Sequence, residues 1–210
     1  MAQITVGIVA LVWLVLALLT GQRLSPTPLR LYSVAGTVVT MLLLAYERYI
    51  WRWVLVRRFT GVPLLAGTWR GTLVSSYVDP DGVATVPVSI AVLVTQTPFH
   101  VGVTLFTEES SSTSSHARLR HLPDERWSLS WAYENTPRPA LRHRSDRHRG
   151  SAEAVLGGLD GEVLRGEYFT DRLTRGEILL DEWSPVRYAS AESALRATDF
   201  QTPRPFAHRR

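Results

Sequence analysis

Two long apolar stretches, at 4–20 and 31–46, occupy the first quarter of the chain. A helix needs about 20 apolar residues to cross the hydrocarbon core of a bilayer, and about 17 is the practical minimum. The first stretch reaches that minimum without a charge. The second runs on past Glu47 into mixed aromatic, aliphatic and arginine residues typical of a membrane interface. Because a short, proline-containing segment separates the stretches, residues 1–60 are predicted to form a membrane α-helical hairpin of two N-terminal transmembrane helices.

The arginines beside these stretches predict the orientation of the hairpin. Four arginines follow the second stretch, whereas the connecting turn contains two. By the positive-inside rule, the side with more basic residues faces the cytoplasm. We therefore predict a multi-pass protein of the cell membrane with its N-terminus and its large C-terminal domain in the cytoplasm. The arginines are Arg48, Arg52, Arg57 and Arg58 after the second stretch, and Arg23 and Arg30 in the turn.

Beyond residue 60, apolar and polar positions alternate with the period of two that marks β-strands, most clearly over 127–133. Turn-forming residues separate roughly eight such runs, which favours an antiparallel barrel or a sandwich. An eight-stranded barrel has room inside for one small ligand. We assign 61–184 to this all-β domain and 185–210 to a polar, flexible tail. The predicted strands are 68–77, 84–96, 100–107, 116–122, 127–133, 152–156, 163–169 and 177–183.

Two stretches of the all-β domain have an unusual composition. Residues 108–115 are almost entirely glutamate, serine and threonine, which predicts a mobile hairpin tip. Residues 138–149 contain five arginines and two histidines, which predicts a solvated basic loop. The chain has a formal charge of +4 and no lysine. Its permanently charged basic side chains are therefore guanidinium groups, whose planar fork suits phosphate.

Sequence signatures of catalysis and of metal binding are missing. The chain has no nucleophile elbow, phosphate-binding loop or paired-carboxylate motif. Two histidine pairs are each five residues apart, a spacing that does not put both rings on one helical face. They lack cysteine partners and lie near arginines, which repel a cation. We therefore expect a binding protein rather than an enzyme, with no catalytic residue, no metal and no cofactor.

Two segments, 131–137 and 168–176, carry side chains suited to a nucleotide. Aromatic rings can stack on a base, while arginine, amide and hydroxyl groups can hydrogen-bond a phosphate or a base edge. The residues alone also allow structural roles, with Tyr168 in the core, Arg172 in a solvated turn and Asn135 closing an Asx-turn. The candidate ligand-binding residues are Trp131, Tyr133, Asn135, Tyr168, Thr170, Arg172 and Thr174.

Several short motifs follow the predicted hairpin in order. They are Gly-Thr-Trp-Arg-Gly at 67–71, Trp-Ala-Tyr-Glu-Asn-Thr-Pro at 131–137, His-Arg-Gly-Ser-Ala at 148–152 and Leu-Arg-Gly-Glu-Tyr-Phe-Thr-Asp-Arg at 164–172. Together with the hairpin, this order resembles the SMODS-associated two-transmembrane β-rich effectors, the CD-NTase-associated membrane effectors of bacterial CBASS anti-phage defence. The resemblance covers nearly the whole chain apart from the tail.

The resemblance implies an antiparallel eight-stranded β-barrel that binds a cyclic dinucleotide made by a CD-NTase, and no DNA or RNA polymer. Binding would cause self-association of the transmembrane helices, disruption of the lipid bilayer of the inner membrane, and abortive-infection cell death. It does not specify the cyclic nucleotide or the oligomer size. A competing interpretation is a membrane-anchored, lipocalin-like barrel that binds an apolar ligand and has no killing activity. That interpretation predicts an apolar barrel interior.

Overall fold

The structure is a computed structural model in which the chain divides into two compact units, Met1–Trp53 and Val54–Arg210. Side-chain environments are described from residue 36 onward. The first predicted transmembrane stretch, 4–20, lies outside the described residues. The residues that the structure describes are 26–78, 82–143, 145–157 and 162–204.

The first unit contains helix α1, Pro26–Arg48, followed by a single 3₁₀ turn, Ile50–Arg52. Among the described residues, no helix is both long enough and apolar enough to cross a bilayer. This finding contradicts the prediction of two transmembrane helices, and with it the membrane part of the predicted fold class, for the part of the chain that the structure describes. Hydroxyl side chains lie among the aliphatic residues of α1. One of them, Thr40, donates a 2.8 Å hydrogen bond from its hydroxyl to the carbonyl oxygen of Gly36.

The second unit begins with the short helix α2, Val54–Thr60, and continues into eight strands that form a closed barrel. Each strand pairs antiparallel with the next, and β8 pairs with β1 to complete the ring. This architecture confirms the predicted antiparallel eight-stranded β-barrel and excludes a sandwich. The strands are β1 (Gly67–Ser75), β2 (Val88–Gln96), β3 (Val101–Phe106), β4 (Ser110–His121), β5 (Trp127–Pro137), β6 (His148–Gly157), β7 (Val163–Thr170) and β8 (Arg175–Ser184).

Alternation along the strands places the large apolar side chains inside the barrel. In β5, Leu129 and Trp131 are buried, whereas the neighbouring Ala132 is exposed. Trp69 from β1 is fully buried and belongs to the same core cluster. Burial of each large apolar side chain contributes about 1.5–3 kcal/mol, so this cluster is the main source of the stability of the barrel.

The end of the barrel nearest α2 is closed by the segment that joins α2 to β1, and we call it the closed end. Leu65 is fully buried there, and its carbonyl accepts a 2.8 Å hydrogen bond from the Trp69 indole. The buried side chain of Gln96 accepts hydrogen bonds from the backbone N–H groups of Leu65 and Ala66 at 2.8 and 3.2 Å. It also donates to the Pro63 carbonyl at 2.9 Å. One side chain therefore satisfies three backbone groups of the closing segment.

The predicted polar tail, 185–210, is described up to residue 204, and this part folds back onto the barrel. It contains helix α3, Ala191–Arg196. Arg70 on β1 forms a 2.5 Å ion pair with Glu182 on β8, and its guanidinium lies 4.2 Å from the ring centroid of Phe200. These contacts hold the described part of the tail against β1 and β8.

The stretch predicted as a mobile hairpin tip, 108–115, belongs mostly to a strand. β4 begins at Ser110, and Ser111 and Ser112 pair with β3 on one side and with β5 on the other. A run of serines favours a loop on propensity alone. Ladder hydrogen bonds on both sides override that preference, because strand formation depends strongly on neighbouring strands.

We expect Gln96→Leu to lower the free energy of unfolding by about 2–5 kcal/mol, because it leaves buried backbone groups without hydrogen-bond partners. Urea unfolding followed by tryptophan fluorescence measures this change. Ser89→Ala, at an exposed position of the same strand, is the matched control and should be close to neutral. Equal stability of the Gln96→Leu variant and the wild type would contradict the assigned role of Gln96.

Candidate functional site

The end of the barrel opposite the closed end, which we call the distal end, has a different lining. It is formed by the last residues of β1, β3, β5 and β7 and by the first residues of the other four strands. On the inner face, apolar side chains give way there to hydroxyl, phenol, amide and imidazole groups. The inward-facing polar residues of the distal end include Ser75, Ser112, Tyr133, Asn135, His148, Tyr168 and Thr170.

Two tyrosine rings at the distal end lie against glycines of neighbouring strands. Tyr133 on β5 pairs with Gly150 on β6, and Tyr168 on β7 pairs with Gly176 on β8. A Cβ atom on Gly150 would lie 2.5 Å from the Tyr133 hydroxyl oxygen, and one on Gly176 would lie 2.6 Å from the Tyr168 ring. The two glycines therefore provide the space in which the rings cover the inner face of the sheet.

Trp131 lies one level deeper than Tyr133 on the same face of β5. It pairs with Ala152 on β6, which in turn pairs with Tyr168 on β7, so the three positions form a row across the sheet. Trp131 is buried and belongs to the core cluster. In this structure it forms part of the apolar floor beneath the polar distal end.

Both tyrosine hydroxyls stay protonated well above neutral pH. Burial raises the pKa of Tyr133 to about 12, with further contributions from Tyr168 and Asp171. Burial also raises the pKa of Tyr168, while a hydrogen bond with the Ser75 side chain acts in the opposite direction. Two neutral phenols are thus available at the distal end as hydrogen-bond donors.

Asn135 supplies an amide at the same end and is only 9% exposed. Its amide nitrogen lies 3.2 Å from Nε2 and 3.5 Å from Nδ1 of His148, its cross-strand neighbour on β6. Its amide oxygen, Oδ1, is buried and has no hydrogen-bond partner among the described residues. An unpaired buried acceptor costs about 1–3 kcal/mol. The position is therefore suited to a ligand that brings an N–H or O–H donor.

The other predicted residues form the hairpin between β7 and β8. The hydroxyl oxygens of Thr170 and Thr174 lie 2.6 Å apart, so these two side chains are partners of each other. The Arg172 guanidinium donates to the Ser145 hydroxyl at 3.3 Å and to the Asp146 main-chain carbonyl. Arg172 therefore connects this hairpin to the loop between β5 and β6, at the rim of the distal end.

The structure thus brings Tyr133, Asn135 and Tyr168 together inside the distal end. Trp131 lies beneath them, and Thr170, Arg172 and Thr174 lie in the rim hairpin. Other inward-facing groups of this end were not among the predicted site residues. The alternation of β6, read from the buried Ala152, could have indicated two of them. The residues added by the structure are Ser75, Ser112, His148 and the two tyrosine-facing glycines, Gly150 and Gly176.

A family model described as "Cap15, cyclic dinucleotide receptor domain" matches residues 60–182, which is more than half of the chain. The chain belongs to the Cap15 cyclic dinucleotide receptor family. CD-NTase-associated protein 15 of Staphylococcus schleiferi is 27% identical over 148 residues, an alignment that covers 70% of this chain and 76% of that protein. The family match includes nearly the whole barrel and therefore both ends described above.

Membership of the Cap15 family confirms the coarser part of the resemblance seen in the sequence. The barrel is a cyclic dinucleotide receptor domain, and the match supports a CBASS effector that binds a cyclic dinucleotide. The two-transmembrane detail of that resemblance is not confirmed.

We expect Gly150→Ala to lower the free energy of unfolding by about 1–3 kcal/mol, because the new Cβ meets both the Tyr133 ring and the carbonyl of Phe169 at 2.5 Å. The carbonyl belongs to the sheet backbone and cannot move aside easily. Gly157→Ala on the same strand is the matched control, since its Cβ meets only the Val163 carbonyl at 3.9 Å. Urea unfolding of the two variants measures the difference, and equal stability would contradict the close packing of Tyr133.

Proposed function

We propose that the distal end of the barrel binds a cyclic dinucleotide made by a CD-NTase, and that the chain acts as a CBASS effector without catalysing a reaction. Family membership supports this proposal. We assign the ligand site to the distal end because the buried Oδ1 of Asn135 has no hydrogen-bond partner among the described residues. It lies at the end where Tyr133 and Tyr168 also present neutral hydroxyls.

The groups at the distal end correspond to the parts of a cyclic dinucleotide. Such a ligand has two bases and two phosphates, so it needs stacking surfaces, donors for phosphate oxygens and a partner for a base edge. In the proposal, the tyrosine rings provide the stacking surface and their hydroxyls donate to phosphate. Arg172 brings a cation to the rim, and Asn135 contacts a base edge. None of these roles requires a general base or a metal.

The packing of the barrel disfavours the apolar-ligand alternative. Trp69 and Leu129 fill the interior towards the closed end, and both are almost completely buried. The distal end carries amide, imidazole and phenol groups instead. An apolar ligand there would leave the Asn135 oxygen unpaired, at a continuing cost in free energy.

Calorimetric titration of the full chain with cyclic dinucleotides tests the proposal, with linear dinucleotides as controls. We expect saturable binding of one cyclic species and at least tenfold weaker binding by Arg172→Ala, since a charge-assisted hydrogen bond is worth about 1.5–3 kcal/mol. Arg165→Ala, which removes an exposed arginine from β7, is the matched control and should bind normally. Absence of binding by the folded wild-type chain across the panel would refute the proposal.

We further propose that ligand binding causes self-association, and that the assembled protein disrupts the inner membrane of the bacterial cell from the cytoplasmic side. The resemblance of the motifs to CBASS membrane effectors supports this output.

Sedimentation velocity with and without the bound cyclic dinucleotide tests self-association. We expect a larger sedimentation coefficient with ligand for the wild type and for Arg165→Ala, but not for Arg172→Ala at the same ligand concentration. Uptake of a membrane-impermeant dye by expressing cells then reports membrane disruption. A wild-type chain that stays monomeric at saturating ligand would contradict the proposed output while leaving the binding proposal intact.

A further inference from the structure

Two segments meet at the rim of the distal end, the loop between β5 and β6 and the hairpin between β7 and β8. The Arg172 guanidinium in the hairpin donates one hydrogen bond from Nη1 to the Ser145 hydroxyl, at 3.3 Å, and another from Nη2 to the main-chain carbonyl of Asp146. Each terminal nitrogen of this side chain therefore has an acceptor in the loop. Both acceptors are uncharged.

The Asp146 carbonyl also shows where this guanidinium lies. Nδ1 of His148, whose ring belongs to the inner face of the distal end, lies 3.4 Å from the same carbonyl oxygen. Because Arg172 and His148 approach one oxygen atom, the positive charge lies beside a ring of the inner face. Arg172 thus brings a permanent cation to the border between the rim and the polar interior.

A phosphate group would compete with the loop for this side chain. The nitrogens of a guanidinium form a planar fork that can bind two phosphate oxygens at once. In the free chain the two terminal nitrogens of that fork are taken up by Ser145 and Asp146. A phosphate oxygen adds the attraction of a negative charge, which neither a hydroxyl nor a carbonyl carries. Exchange of the loop for a phosphate is therefore favourable.

We propose that Arg172 exchanges partners when the ligand binds, and that the β5–β6 loop is its autoinhibitory partner. In the free chain the guanidinium holds Ser145 and Asp146, and in the complex it releases them to bind a phosphate of the ligand. The inference rests on the proposed function, because it assigns regulation to the same site. It has two consequences, since the loop lowers the affinity of the free chain and gains mobility when the ligand binds.

Other hydrogen bonds confine this release to a short segment. Arg149, near the start of β6, donates its N–H to the Asp171 carboxylate at 3.0 Å, and its carbonyl accepts the Asp171 N–H at 3.0 Å. These bonds do not involve the Arg172 guanidinium, so they persist when it changes partner. From His148 onward the chain is also paired with β5. The segment that gains mobility is therefore 145–147.

Calorimetric titration of the full chain with cyclic di-AMP, cyclic di-GMP, cyclic di-UMP and cyclic GMP–AMP tests the competition. Ser145→Ala removes one loop acceptor and leaves Arg172 in place. For the probe that the wild type binds, we therefore expect about threefold tighter binding by this variant. Ser151→Ala, which removes an exposed hydroxyl from the outer face of β6, is the matched control and should keep the wild-type affinity. Unchanged or weaker binding by Ser145→Ala would overturn the inference while leaving the proposed function standing.

A second measurement follows the loop itself. The chain contains no cysteine, so a spin label attached to Arg147→Cys reports the mobility of a single position. We expect its electron paramagnetic resonance spectrum to narrow when the bound probe is added. Addition of Arg172→Ala to the labelled chain should narrow the spectrum without any ligand. Arg118→Cys, on the exposed outer face of β4, is the control label and should give one spectrum under all conditions.

Two results of the labelling experiment would also overturn the inference and leave the proposed function intact. One is a spectrum at position 147 that saturating probe does not change, and the other is a spectrum that Arg172→Ala does not change. Failure of every probe to bind the folded wild type would overturn both the inference and the proposed function.

Discussion

Pairing between β1 and β8 closes the sheet, and this closure determines which side chains can meet inside the molecule. A closed barrel has no edge strand, so each strand alternates between one interior and one exterior face along its length. The register of the ladders then decides which residues share a level. Trp131, Ala152 and Tyr168 share one level, and Tyr133 and Gly150 share the next towards the distal end. The pairing register of the strands therefore determines which side chains lie together in the candidate site.

The narrow interior of an eight-stranded barrel explains why small residues are as important here as large ones. Rings can cover the inner face only where the neighbouring strand offers little volume, and Gly150 and Gly176 provide that space for two tyrosines. At the closed end the same limited volume is taken up by Trp69 and Leu65. The interior is thus divided along its axis into a packed apolar part and a polar part. This division agrees with the proposal of a polar ligand at the distal end.

Alternation in the sequence predicted the approximate number of strands and most of their positions, but it missed the first residues of β4 and β6. The types of side chain in 131–137 and 168–176, together with the family resemblance, pointed to three residues that share the distal end, Tyr133, Asn135 and Tyr168. Cross-strand register was not accessible in this way, because a period of two assigns faces but not partners. The relation between His148 and Asn135 depends on register, and it therefore required the structure. The serines at the start of β4 were predicted to form a loop for a related reason. Their pairing with β3 and β5 overrides the preference of serine for loops, and this pairing is not visible in the local sequence. Hydropathy counts likewise predicted two transmembrane helices that the described residues do not support.

Two buried amide side chains lie at opposite ends of the barrel, and they differ in whether their amide oxygen has a hydrogen-bond partner. Gln96 at the closed end uses both its oxygen and its nitrogen on backbone groups, and it therefore stabilises the fold in the absence of any ligand. Asn135 at the distal end places its nitrogen 3.2 Å from Nε2 and 3.5 Å from Nδ1 of His148 and leaves its oxygen unpaired among the described residues. That arrangement lowers the stability of the free barrel by about 1–3 kcal/mol. In the proposed site, a hydrogen-bond donor on the ligand would recover this free energy and add it to the affinity.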